Sequence, residues 1–71
     1  MEGKLKRIYQ DLRYGFIRSS SDNQDYFFHK DDFDGDWDSL VSDFDRDIPQ
    51  FLEFEPTRTE KGLRAKEVTV A

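Results

Sequence analysis

Two short aromatic segments constrain the fold of this chain more than any other feature. Residues 14–17 (YGFI) and 26–29 (YFFH) are rich in residue types that favour strands. Successive side chains of a strand point to opposite faces, so each segment presents aromatic rings on both of its faces. A chain of 71 residues builds one compact core and has no second layer to cover the other face. We therefore expect one aromatic set to remain exposed, as a binding surface often is.

The alternation of side chains separates the rings into two sets. Gly15 and Ile17 lie on one face of the first segment, and Tyr26 and Phe28 lie on one face of the second. The opposite faces form the candidate exposed set, which consists of Tyr14, Phe16, Phe27 and His29. Exposed rings can stack on nucleic-acid bases, and each stacked base contributes about 1–3 kcal/mol. A Phe-Phe pair also commonly fills the core of a short β-protein, so periodicity alone leaves both interpretations open.

The composition excludes several classes of protein. The chain has no cysteine, so disulfide frameworks and thiolate zinc sites are excluded. No stretch approaches the ~18 apolar residues of a membrane span, and the N-terminus lacks the apolar run of a signal peptide. We therefore expect a single cytoplasmic domain, residues 1–71, which is monomeric and is stabilised by packing alone.

Strand-like patterns recur at five places along the chain: 3–9, 12–18, 25–29, 51–55 and 63–70. An Asp-rich segment, 30–47, separates the third pattern from the fourth, and within it residues 38–44 predict a turn or two of helix. The composition of residues 56–62 predicts a polar loop. The sequence thus predicts an all-β fold, a five-stranded antiparallel barrel of the OB-fold type with a long Asp-rich linker between strands 3 and 4.

The charge of the chain is unevenly distributed. The formal net charge of −5 opposes long-range attraction to a polyanion such as nucleic acid. Residues 1–18, however, carry five Lys or Arg against two acidic residues, whereas residues 22–47 carry ten aspartates against two cations. The basic segment adjoins the first aromatic segment, so short-range contacts between cations and phosphates remain available.

Four blocks of the sequence, taken in order, resemble the cold-shock protein family. Residues 3–6 (GKLK) resemble the opening G-x-V-K of that family, and residues 14–17 and 26–29 resemble its two ribonucleoprotein motifs. Residues 61–65 (KGLRA), followed by Val68, resemble its closing K-G-x-x-A-x-x-V. Together the blocks span nearly the whole chain.

The resemblance implies a function as well as a fold. Members of the family are five-stranded OB-type barrels that bind single-stranded RNA or DNA, often pyrimidine-rich, without catalysis or a cofactor. Carried over by position, the binding residues would be Lys6, Tyr14, Phe16, Phe27 and His29. The resemblance thus implies a single-stranded, pyrimidine-rich RNA or DNA as partner, and the role of an RNA chaperone or single-strand protector.

The chain departs from the family at several positions. Arg7 replaces the stacking tryptophan of the first strand, and Tyr9 replaces the usual asparagine. Arg13 belongs to a Leu-Arg pair that stands in place of Lys-Gly, and Lys30 replaces the phenylalanine that usually follows the histidine. One stacking ring is therefore lost, and Arg7 can stack its guanidinium or hold a phosphate in its place.

A linker aromatic of the family also has no clear counterpart here. Trp37 or Phe33 is a candidate for this role, and Trp37 is alternatively an anchor that holds the linker on the barrel. The full set of predicted nucleic-acid-binding residues is Lys6, Arg7, Tyr9, Arg13, Tyr14, Phe16, Phe27, His29, Lys30 and Trp37.

Other functions draw on the Asp-rich segment and on the single histidine. Alternating carboxylates at 32–38 suit calcium, but an EF-hand loop with Gly35 at its sixth position would place Lys30 where a carboxylate is required. Zinc ligation or a Ser-His-Asp triad would rest on His29 alone, so we expect neither a metal site nor catalysis. The remaining alternative is a protein-interaction adaptor on the same barrel, whose acidic linker meets a basic protein through Asp32, Asp34 and Asp36.

Overall fold

The computed structural model describes all 71 residues. Its elements, in chain order, are β1 (Glu2–Tyr9), β2 (Tyr14–Ser19), β3 (Asp25–His29), one turn of 3₁₀ helix (Lys30–Asp32), α1 (Trp37–Asp45), β4 (Phe51–Thr59) and β5 (Gly62–Val70). Strand residues dominate, and the predicted all-β class is confirmed, with one short α-helix added. Neither helix has the length or the apolar composition needed to cross a lipid bilayer.

The five strands close into a barrel in the order β1-β2-β3-β5-β4, with β4 returning to β1. This architecture is consistent with an OB-fold. All neighbouring pairs are antiparallel except β3 and β5, which are parallel where Phe27 meets Arg64. The prediction of a purely antiparallel barrel is therefore wrong. Strand directions can alternate around a closed ring only when the number of strands is even, so a ring of five contains at least one parallel pair.

One hydrophobic core fills the barrel. Its twelve buried side chains come from every strand, from α1 and from the segment between β3 and α1. They are Leu5, Ile17, Tyr26, Phe28, Phe33, Trp37, Leu40, Val41, Leu52, Phe54, Ala65 and Val68. On β2 and β3 the buried residues alternate with partly exposed ones, as predicted. Gly15 lies where the packing is closest, since a Cβ there would be 2.7 Å from the carbonyl oxygen of Arg7 and 2.9 Å from Cε1 of Phe28.

The helix α1 forms because its sequence supplies a cap and an apolar stripe. The carboxylate of Asp36 accepts a hydrogen bond from the backbone N–H of Ser39 at 3.2 Å, which caps the N-terminus. Trp37, Leu40 and Val41 lie on one side of the helix and are buried in the barrel core. The predicted turn or two of helix is confirmed. The description of the whole segment between β3 and β4 as a long Asp-rich linker is not confirmed, because its helix contributes three buried side chains to the core.

The strand β4 is longer than the sequence pattern indicates. It continues through Pro56 to Thr59, where the composition predicts a polar loop. Pro56 pairs with Ala65 of β5, whereas β1 pairs with β4 only at residues 51–53. Proline has no backbone N–H to donate to a neighbouring strand. It is tolerated at a strand position that pairs with another strand on one side only. The loop prediction for 56–59 is therefore wrong, because the proline lies in the part of β4 that has left β1.

Removal of the Trp37 side chain tests whether α1 is part of the core. We predict that Trp37→Ala lowers the free energy of unfolding by about 3–5 kcal/mol, because a buried ring packed on Phe28 and Phe33 is replaced by a cavity. Urea denaturation followed by circular dichroism measures the loss. Ser42→Ala, at an exposed position of the same helix, is the control and should change stability by less than about 0.5 kcal/mol. Equal effects in the two variants would contradict the packing of α1 on the barrel.

Candidate nucleic-acid interface

Four aromatic rings lie side by side on the outer surface of β1, β2 and β3. We call this set the aromatic face, and it consists of Tyr9, Tyr14, Phe16 and Phe27. The ring centroid of Tyr14 lies 5.1 Å from that of Tyr9 and 5.2 Å from that of Phe27. The centroid of Phe16 lies 5.9 Å from those of both Tyr14 and Phe27. Tyr9 is 38% exposed and the other rings are partly exposed, so together they offer a continuous apolar surface.

The strand register arranges this surface in two rows. The first row runs across four strands through Arg7, Phe16, Phe27 and Arg64. The second row contains Tyr9, Tyr14 and His29. Directly opposed residues of antiparallel neighbours have Cβ atoms about 4.5–5.5 Å apart. Arg7 lies opposite Phe16 in the antiparallel pairing and Arg64 lies beside Phe27 in the parallel one, so one arginine borders the two phenylalanines on each side.

Arg64 is a residue that the sequence patterns do not single out. It reaches the aromatic face only through the parallel pairing of β3 with β5, which joins distant parts of the chain. The signal that could have found it is the odd number of predicted strands, since an odd closed ring requires a parallel pair. The parallel partner of β3 is then expected on β4 or on β5.

A β-bulge in β1 turns two successive cations outward. The register of β1 against β2 shifts between Leu5 and Arg7, so Lys6 is the extra residue. Both Lys6 and Arg7 are exposed, whereas simple alternation would turn one of them toward the core. Arg7, at the position of the family's stacking tryptophan, lies opposite Phe16, where its guanidinium can stack or hold a phosphate.

Asp32 fixes the edge of the aromatic face near β5. Its Oδ2 atom accepts hydrogen bonds from Nε and Nη2 of Arg64, at 3.2 and 2.9 Å, and from the backbone N–H of His29 at 3.0 Å. The Asp32 side chain is only 12% exposed, against 37% for Arg64. The ring of His29 is held as well, because its Nδ1 atom accepts a hydrogen bond from the backbone N–H of Asp31 at 3.1 Å. The neutral ring therefore carries its proton on Nε2.

An ion pair between Arg18 and Asp25 lies next to the phenyl rings. Nε of Arg18 donates to Oδ1 of Asp25 at 2.6 Å, and Nη2 donates to Oδ2 at 3.3 Å. The hydrogen bond from Arg18 lowers the pKa of Asp25, and the positive charges of Lys6 and Arg7 lower it further. Three cations thus act on one carboxylate, so this part of the surface stays positive although the chain as a whole is acidic.

Three of the predicted binding residues lie together beyond the end of β3 and not on the aromatic face. Arg13, in the β1–β2 turn, accepts a hydrogen bond at its carbonyl from the N–H of Lys30 at 2.8 Å. Both residues line a surface recess with Trp37, beside the carboxylates of Asp11 and Asp38. Trp37 is only 5% exposed, so its ring occupies the anchoring position and would have to leave the core to stack on a base.

The acidic residues that follow β3 are partly engaged within the chain. Asp32 is paired with Arg64, and Asp36 caps α1 and accepts a second hydrogen bond from the hydroxyl of Ser39 at 3.0 Å. The three aspartates expected to dock on a basic partner, Asp32, Asp34 and Asp36, therefore do not form a uniformly free row. No three carboxylate or imidazole groups converge closely enough to hold a metal ion.

Six of the predicted residues come together on or beside the aromatic face, namely Arg7, Tyr9, Tyr14, Phe16, Phe27 and His29. Lys6 borders it through the bulge. No protein-family model matches the chain, and no curated protein sequence matches it either. Two features bear on the function of this surface, namely its own geometry and the four sequence blocks at residues 3–6, 14–17, 26–29 and 61–65.

The ion pair between Asp32 and Arg64 predicts a measurable coupling. In a double-mutant cycle of Asp32→Ala and Arg64→Ala, urea denaturation should give a coupling free energy of about 1 kcal/mol, because Asp32 is largely buried while Arg64 is more than a third exposed. The same cycle on Arg18 and Asp25, whose side chains are 39% and 41% exposed, should give a smaller coupling. Equal coupling in the two cycles would contradict the role of Asp32 in fixing the edge of the face.

The lowered pKa of Asp25 predicts a pH dependence of stability. A carboxyl whose pKa is lower in the folded state stabilises the fold above its unfolded pKa, about 3.9 for Asp, and this contribution is lost as the pH falls through the folded pKa. We predict that Asp25→Asn lowers the urea midpoint at neutral pH, and that the difference from the parent protein shrinks as the pH falls below about 4. In an Arg18→Gln background this pH-dependent part should be reduced. A difference that stays constant with pH would argue against the ion pair.

Proposed function

We propose that this chain is a single-stranded nucleic-acid-binding protein of the cold-shock type that takes RNA or DNA on its aromatic face. Bases stack on the exposed rings, and the cations beside these rings hold the phosphates. The protein acts by binding and not by catalysis, in the manner of an RNA chaperone or single-strand protector. The observation that carries the proposal is the contiguous set of four outward rings, with neighbouring centroids 5.1–5.9 Å apart.

A purely structural role accounts less well for these rings. The barrel already has a core of twelve buried side chains, to which β1, β2 and β3 contribute from their inner faces. Rings that stay partly exposed forgo stabilisation of about 25 cal/mol for each Å² of apolar surface left in water. An apolar patch of this kind on a small domain is typical of a surface that binds something.

The local charge supports a polyanionic ligand despite the formal net charge of −5. Arg7 and Lys6 make no ion pair and lie opposite Phe16 and at the bulge, whereas Arg64, which lies beside Phe27, is paired with Asp32. At physiological salt the screening length is about 8 Å, so a phosphate at the face responds mainly to charges close to it. We expect the affinity to fall as salt rises, because the phosphate contacts release counterions.

The cold-shock resemblance supports the same function and adds detail to it. Phe16, Phe27 and His29 come from the two blocks that resemble ribonucleoprotein motifs. By the same resemblance we propose a preference for pyrimidine-rich strands, and we keep as proposals the monomeric state and the cytoplasmic location expected from the composition. The exchange of a stacking tryptophan for Arg7 removes one ring from the surface, so we expect weaker binding than in family members that keep it.

The competing proposal is a protein-interaction adaptor that docks its acidic segment on a basic protein. Two of the aspartates on which it would depend serve the fold, because Asp32 holds Arg64 and Asp36 caps α1. An adaptor of this kind would also leave the aromatic face without a ligand. We therefore favour nucleic-acid binding.

The double variant Phe16→Ala, Phe27→Ala tests the proposal. Fluorescence anisotropy with a labelled pyrimidine-rich strand of about seven nucleotides should show a loss of affinity of at least about 30-fold, since each stacked ring contributes about 1–3 kcal/mol. Both rings are partly exposed, so the variant should remain folded, which circular dichroism checks.

Val70→Ala is the control for this experiment, because Val70 is apolar and 60% exposed but lies outside the aromatic face. It should bind like the parent protein. If the parent binds the strand and the folded double variant binds equally well, the aromatic face is not the binding site. If the parent does not bind even at low salt, the adaptor proposal takes precedence.

A further inference from the structure

A groove lies beside the aromatic face, between β1 and the chain that leaves α1. One wall carries Lys4, Lys6 and Arg18, and the other wall carries Phe44, Ile48 and Pro49. A single carboxylate, that of Asp47, lines the groove with these three cations. Ile48 is apolar and yet 41% exposed. Arg18 is already paired with Asp25, so Lys4 and Lys6 supply the free positive charge of the first wall, opposite the apolar wall.

The groove begins where the aromatic face ends. Arg18 follows Phe16 by two residues on the same side of β2, which corresponds to about 6.8 Å along the strand. Lys4 lies opposite Arg18 on β1. The bulge sets Arg7 opposite Phe16 and leaves Lys6 at the groove. A nucleic-acid strand that leaves Phe16 in this direction therefore meets the groove next.

The apolar wall is held in place by the fold itself. The N–H of Ile48 donates to the carbonyl of Asp43 at 3.0 Å, which fixes the chain as it leaves α1. The N–H of Leu5 donates to the carbonyl of Gln50 at 2.8 Å and ties the same segment to β1. Because these hydrogen bonds fix the backbone on both sides of the groove, little backbone entropy would be lost when a ligand enters.

We propose that this groove is an additional nucleotide subsite, in which Lys4 holds the phosphate of one further nucleotide and Ile48 and Pro49 pack against its base. The inference rests on the proposed function, because this nucleotide belongs to the strand bound on the aromatic face. The helical segment between β3 and β4 thereby gains a role in binding. The combination of cations with an apolar wall favours a nucleotide over an acidic peptide, whose carboxylates would satisfy the cations and leave the wall uncovered.

Strand length separates the groove from the aromatic face. Fluorescence anisotropy gives dissociation constants for labelled oligothymidylates of about four and about eight nucleotides, within the range of site sizes of OB-type folds. The double variant Lys4→Gln, Ile48→Ala should bind the longer strand about three- to tenfold more weakly than the parent protein and the shorter strand equally well. For the longer strand, the slope of log affinity against log salt should become shallower by about 0.7, the value for one phosphate.

The double variant Lys61→Gln, Val70→Ala is the matched control, because it makes similar changes at exposed positions outside the groove. It should bind both strands like the parent protein. Equal weakening of both strands by the groove variant would overturn the subsite, since it would indicate a long-range effect of charge. An unchanged affinity for the longer strand would overturn it as well. Failure of the parent protein to bind either strand would overturn the proposed function together with the subsite.

A second measurement locates the base of the additional nucleotide. In protein labelled at isoleucine methyl groups, the longer strand should shift the Ile48 resonance and the shorter strand should leave it in place. If the Ile48 resonance does not move with either strand, the base does not contact the groove wall. An equal shift with oligoglutamate would assign the groove to acidic peptides instead and overturn the proposal.

Discussion

Closure of the barrel by an odd number of strands sets which strand borders the aromatic face beyond β3. Five strands in a ring leave one parallel pair, and the chain order places that pair between β3 and β5. The pairing brings Arg64 beside Phe27, and it continues as a parallel bridge between Phe33 and Val68. Asp32, between these two contacts, closes the same edge through its hydrogen bonds to Arg64. The cationic border of the aromatic face thus depends on a long-range pairing and not on any local turn.

This dependence explains which features could be predicted from the sequence. The outward positions of Phe16 and Phe27 follow from alternation along one strand, which neighbouring residues determine by themselves. The position of Arg64 depends on which strand lies beside β3, and the burial of Trp37 depends on the packing of α1 against the core. The place of Pro56 within β4 depends on where β1 stops pairing with it. Patterns of a few residues carry no information about such distant neighbours.

The segregation of charge is the second consequence of the fold. Four of the five cations of the first eighteen residues lie on β1 and β2, whereas most of the aspartates follow β3. Several acidic side chains make contacts within the chain. Asp25 pairs with Arg18, Asp32 pairs with Arg64, and Asp36 caps the N-terminus of α1. An acidic surface elsewhere repels a polyanion, so attraction is confined to the part of the barrel that carries the cations. A negative net charge is thus compatible with a specific site for nucleic acid.

The bulge in β1 reconciles the closed, buried core with the outward placement of the cations. In a regular strand only one of Lys6 and Arg7 could face outward, because successive side chains alternate. The extra residue lets Leu5 remain buried and Ile8 pack against the core while both cations stay outside. Arg7 then lies opposite Phe16, and Lys6 lies at the groove formed with the segment after α1. A single extra residue therefore places positive charge at the face and at the groove without removing an apolar side chain from the core.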